Sequence, residues 1–168
     1  PLPPYEVLQT REINVSELQT ARQLSRLLDG FYNTPAWQSI TRKLILKKEK
    51  FLYRYLEHLI QIGLIDQPIS LEKRGLILYE FCKHNYPEYQ LEASIAWIEA
   101  GMSLKKLPAE KVKTKRQVPP ENWQVLYGQY KENLRLCFLP VNEETNQGYW
   151  FGFESEIQKP EPVFKAMN

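Results

Sequence analysis

Apolar residues recur every three to four positions from Asn14 to Gly101, and at every second position in the aromatic and aliphatic segments between Leu134 and Phe153. That change of period constrains the fold more than any other feature. Spacing near 3.6 turns one helical face inward, and alternation does the same for a strand. The chain is therefore expected to be mainly α, a helical bundle of about five helices with a small C-terminal β-hairpin region. Its 168 residues suit one ordinary core with a small appendage.

The helix boundaries carry their own chemistry. Asn14 is placed to cap a first helix, with Glu17 three residues on as in a capping box, and Leu18, Ala21, Leu24, Leu28 and Phe31 form its apolar stripe until Asn33 and Thr34 break it. Thr34-Pro35 reads as a cap hydroxyl followed by proline at the first helical position, where the missing N–H costs nothing. Trp37, Ile40 and Leu44 then point inward, followed by Phe51, Leu52, Tyr55, Leu56, Leu59 and Ile60, with Gly63 as a stop. Residues 35–62 fit either two helices or one bent rod. Ser70 is expected to cap a fourth helix to about His84, with Leu71, Leu78 and Phe81 on one face and Gly75 as an internal weakness. Pro87 starts a fifth, whose Leu91, Ile95 and Ile98 lead to Gly101.

Before the helices, Pro3 and Pro4 hold residues 1–13 extended, an interdomain seam in which Tyr5, Val7 and Leu8 offer apolar contacts. After the 14–101 bundle, residues 102–118 read as a basic linker and 119–168 as a small hairpin-containing subdomain and tail. In the hairpin, Leu134, Leu136 and Phe138 alternate with Arg135 and Cys137. Tyr149, Phe151 and Phe153 alternate with Trp150, across the turn-rich NEETNQG. Large rings on both sides of the second strand suggest a surface for a partner. The Trp123–Tyr130 stretch fits helix or strand, and QKPEPVFKAMN reads as a frayed tail.

Charge is unevenly placed. Lys105, Lys106, Lys111, Lys113, Lys115 and Arg116 meet only Glu110, and since the whole chain carries +2, the remainder is net acidic. Such a run is either a solvated linker or a strap for phosphates, with Trp123, Tyr127 and Tyr130 as stacking rings. The absence of an aromatic inside the run favours the linker and weighs against nucleic acid.

Candidate catalytic groups are few. Cys82 and Cys137 are too far apart for a CxxC or CxxxCxxC cradle, and His58 and His84 form no metal-ligand spacing. There is no Gly-rich phosphate loop and no GxSxG. The thiols read as reduced packing groups, His58 as a helix-face residue, and His84 as a cation near a helix C-terminus. No catalytic, cofactor-binding or metal residue is assigned. No apolar run reaches the roughly 18 to 20 residues that span a bilayer, so the expected setting is cytoplasmic, with no membrane partner.

The stretch PPYEVLQTREINVSELQTARQLSRLLDGFYNT resembles the start of the C-terminal accessory domain of bacterial cobalamin (B12)-binding radical S-adenosylmethionine (radical SAM) proteins. These are the proteins similar to the anaerobic Mg-protoporphyrin IX monomethyl ester oxidative cyclase. The likeness runs over Pro3–Asn33 and on through the helices to about Gly101. It implies a non-catalytic domain that packs on the upstream radical SAM barrel of the same chain or shapes substrate access. The parent would use a 4Fe-4S cluster, S-adenosylmethionine and cobalamin. The cluster-binding CxxxCxxC and the cobalamin-binding histidine motif have no counterpart here, so no cofactor residue is carried over. The alternative is a nucleic-acid or protein interaction module using the basic 105–116 segment.

Overall fold

A computed structural model of the chain describes residues 13–107, 134–142, 147–154, 162 and 164–167. Five α-helices come first: α1 (Val15–Leu27), α2 (Pro35–Lys47), α3 (Phe51–Gln61), α4 (Leu71–Asn85) and α5 (Gln90–Glu99). Three strands follow: β1 (Leu134–Asn142), β2 (Gln147–Glu154) and β3 (Phe164–Met167). The expected class, mainly helical with a C-terminal hairpin, is the one observed. Of the stretch 1–13 expected to be extended, residues 1–12 lie outside the described residues, as does the Trp123–Tyr130 stretch.

The chain divides into two compact units, residues 1–74 and 75–168, and the division falls inside α4. In the first unit, α1 starts on a complete capping box. Glu17 N–H donates to Asn14 Oδ1 at 3.0 Å, and Asn14 N–H donates to Glu17 Oε2 at 2.9 Å. The helix ends in a π turn, Leu28–Tyr32, in place of the continuous α-helix expected to Asn33. Of the expected stripe Phe31 is buried, whereas Leu28 is half-buried and Ala21 exposed, and Leu27 is buried beside it.

Pro35 occupies the first turn of α2 as expected, but the Thr34 hydroxyl does not cap that helix. It donates backward to Asp29 O at 2.9 Å instead. Residues 35–62 form two helices, not one rod. Lys50 breaks them apart with a left-handed backbone, φ 60°. Phe51, Tyr55, Leu56 and Leu59 of α3 are buried with Trp37, Ile40 and Leu44 of α2; Leu52 is only half-buried, and Ile60, expected inside, is 46% exposed. Gly63 stops α3 with φ 68°, its N–H bonded to Ile60 O and that of Leu64 to Leu59 O, the paired bonds of a Schellman end.

Ser70 caps α4 through a 3.2 Å bond from Lys73 N–H to its hydroxyl. In the second unit, Pro87 begins a 3-10 turn, Pro87–Tyr89, and α5 starts only at Gln90. A Tyr89 N–H to Tyr86 O bond of 2.8 Å tightens that turn. Helix α5 is buried on every side from Ala93 to Ile98, the pattern of a core helix and not of a surface stripe. Gly101 ends it with φ 68° and a second Schellman pair, Gly101 to Ile98 O and Met102 to Trp97 O.

The sheet has order β1-β2-β3, with both pairings antiparallel. Cys137 stands opposite Phe151 and Phe138 opposite Trp150. Cys137, Leu139, Phe151 and Phe153 pack with Ile95 and Ile98 of α5, so one hairpin face lies on that helix. The tail expected to fray supplies β3, because Phe164–Met167 pairs along β2 from Gly152 to Tyr149.

Candidate functional site

Most residues singled out from the sequence for contact lie outside the described residues: Tyr5, Val7 and Leu8 of the seam, and Lys111, Lys113, Lys115 and Arg116 of the strap. Lys105 and Lys106 are described. They sit exposed on a 3-10 turn, Leu104–Lys106, that follows Ser103.

Both thiols are buried packing groups. Cys82 is fully enclosed on α4, and burial first, then Glu92 and Glu88, pushes its pKa up to about 12. Cys137 faces α5 within the hairpin core, and burial pushes its pKa up to about 12 as well. Burial holds both thiols in the protonated form, the less reactive one, at neutral pH. The residue-by-residue alternation left Cys137 on an outer or a second covered face, and the contact with Ile95 and Ile98 settles it as covered.

The histidines are spent on helix ends and rings. His84 Nδ1 donates to Glu80 O at 2.8 Å and lies 3.9 Å from Glu80 Oε2, on the exposed last turn of α4. His58, half-buried on α3, stacks with Tyr55 at 6.3 Å between centroids. Among the described residues, no group of three or more His, Cys, Asp or Glu comes together to hold a metal ion. No helix among them is long and apolar enough to cross a membrane.

The rings expected to present a partner surface are covered within the chain. Phe138 and Trp150 meet at 4.9 Å on the hairpin face opposite α5, and both are buried, Trp150 to 2% exposure. A chain of this size proved able to enclose both faces of the strand, which alternation along one segment does not reveal.

The arrangement that sequence reasoning missed is at the end of α1. Arg74 Nη1, from the first turn of α4, donates to Gly30 O at 3.1 Å, and the guanidinium Cζ lies 3.5 Å from where a Cβ on Gly30 would stand. Asn33 Nδ2 donates to Asp29 Oδ1 at 2.8 Å. Only Asp29 and Asn33, an i,i+4 polar pair beside a glycine, hint at it in the sequence. Nearby, Arg26 of α1 is hydrogen-bonded and ion-paired to Asp66, with both side chains largely exposed. These groups organise backbone and helix ends; they do not converge on a common point where a substrate atom would react.

A family model described as a protein of unknown function, DUF4080, matches residues 1–159. Comparison with curated proteins gives no match. Comparison with solved structures gives none either.

Proposed function

We propose, from the premise that the chain belongs to the DUF4080 family, that it is a non-catalytic C-terminal accessory domain of a cobalamin-binding radical SAM enzyme of the oxidative-cyclase-like kind. Its role is to pack on the barrel or shape substrate access, in the cytoplasm. The observation that carries the reading is the pattern from PPYEVL to FYNT. The iron–sulfur, S-adenosylmethionine and cobalamin chemistry belongs to the upstream barrel, which is the partner of this domain within one polypeptide.

Two features support a packing role. The described thiols and histidines serve core and helix ends, as set out above. Ile13 and Val15 stand exposed at the start of α1, a few residues after the apolar seam residues Tyr5, Val7 and Leu8 in sequence, where an adjoining domain would cover them.

The deciding test is the full-length gene product. A CxxxCxxC motif preceding this domain, together with reductive S-adenosylmethionine cleavage by the reconstituted protein, is the expected result. Amide exchange over Val15–Leu18 is expected to slow when the barrel is present. A parent without that cysteine motif overturns the reading.

A further inference from the structure

The π turn at Leu28–Tyr32 replaces the α-helical ladder by one wider loop: Asn33 N–H donates to Leu28 O at 2.8 Å, five residues back. In a continued α-helix the same N–H pairs with Asp29 O, and Thr34 N–H pairs with Gly30 O. Here both carbonyls are taken by side chains. Thr34 Oγ1 donates to Asp29 O at 2.9 Å, and Arg74 Nη1 donates to Gly30 O at 3.1 Å.

We propose that this helix end is a two-register conformational device, held in its wide register by Arg74 and Thr34. Each of the two carbonyls that an α turn needs as an acceptor is occupied by a donor from outside the helical ladder. The wide register thus keeps its acceptors satisfied without the α bonds, and the choice between registers rests on two side-chain contacts. Returning to the α register rotates the chain after the turn by roughly 100° and shifts it about 1.5 Å per residue gained. Phe31, which lies in the turn and is buried in edge-to-face contact with Tyr55, reports the change.

The test reads the hydrogen bond itself in the 168-residue chain, through the long-range coupling between the Asn33 amide nitrogen and its carbonyl carbon partner. The unsubstituted chain is expected to couple to Leu28. In Arg74→Met the Leu28 coupling is expected to fall to less than half, with a coupling to Asp29 appearing. Thr34→Val is expected to show a smaller transfer in the same direction, and Arg74→Lys to restore the Leu28 coupling. An undiminished Leu28 coupling in both Arg74→Met and Thr34→Val overturns the proposal. If Arg74→Met does not fold, Thr34→Val decides alone: transfer toward Asp29 supports the device, and an unchanged coupling overturns it.

Discussion

Phe31 meets Tyr55 edge to face, with ring centroids 5.0 Å apart and planes at 80°. The contact joins the π turn to α3, where Tyr55 also stacks on Phe51 at 5.6 Å. Both partners are buried, Phe31 to 3% and Tyr55 to 0% exposure. Phe31→Ala removes the ring, leaves a cavity and breaks the aromatic pair, a loss of about 3–5 kcal/mol. Against a typical domain stability of about 5–15 kcal/mol, that is a large share. Urea unfolding is expected to show a lower midpoint at nearly constant slope. A midpoint shift worth less than about 1 kcal/mol, well below the cavity range, would show that the ring is not a core element.

The capping box at Asn14 has a smaller and separable effect. Asn14→Ala removes the acceptor for Glu17 N–H, a loss of about 1 kcal/mol at an exposed helix start. Glu17→Gln keeps an oxygen able to accept from Asn14 N–H and is expected to cost much less. Equal losses in the two variants would argue that the charge of Glu17 on the helix dipole, not the box, stabilises the start.

Lys50 offers a gain. Its φ of 60° puts an L side chain in the left-handed region, where the Cβ meets the following carbonyl. Lys50→Gly removes that penalty, at some cost in unfolded-chain entropy, and is expected to raise stability by about 0.5–1 kcal/mol. Thermal unfolding measures it directly; a lower transition temperature in the glycine variant contradicts the assignment of strain.

The helices were legible because their starts and stops have local causes. Asn14 with Glu17, Ser70, Gly63 and Gly101 all do what their side chains or their missing Cβ dictate within one turn of chain. What escaped the sequence depends on partners distant along it. The π turn needs Arg74, 44 positions beyond Gly30, and the Thr34 hydroxyl was drawn to Asp29 O and away from its own helix. Burial of both hairpin faces depends on α5 for one side, and β3 depends on pairing with β2, neither of which alternation within a strand encodes. For the candidate site, the expectation of buried packing thiols and of a histidine near a helix C-terminus matches the positions of Cys82, Cys137 and His84. The Arg74 contact left no sign in the sequence, because an arginine at a helix start is ordinary.

Gly148 is a tight position in the hairpin. A Cβ there would stand 2.4 Å from Leu139 O and 2.6 Å from the Phe138 ring. Backbone cannot give way cheaply, and Phe138 is itself packed on Trp150. Gly148→Ala is expected to force the strands apart, a loss of about 1–3 kcal/mol. Amide exchange along Leu139 and Trp150 should accelerate relative to that in α3, which lies in the other unit. Uniform acceleration in both units, or none in the hairpin, would contradict a local clash.

The two buried thiols make stability depend on alkaline pH. Folded Cys82 and Cys137 hold their protons to about 12, against an ordinary value of 9.0 once unfolded. Between those values the folded chain binds more protons than the unfolded one, so stability falls as pH rises. The contribution is fully present below about pH 9 and is gone above about pH 12. Other groups titrate in the same range, so the comparison must be made with Cys82→Ala and Cys137→Ala. Each variant is less stable at neutral pH through lost packing, but its stability should decline less steeply above pH 9. A thiol-specific disulfide reagent at pH 8 should modify neither cysteine until the chain is unfolded, because the reactive species is the thiolate. Rapid modification of the folded chain, or identical alkaline slopes in all three proteins, would show that the thiols are more accessible than their packing implies.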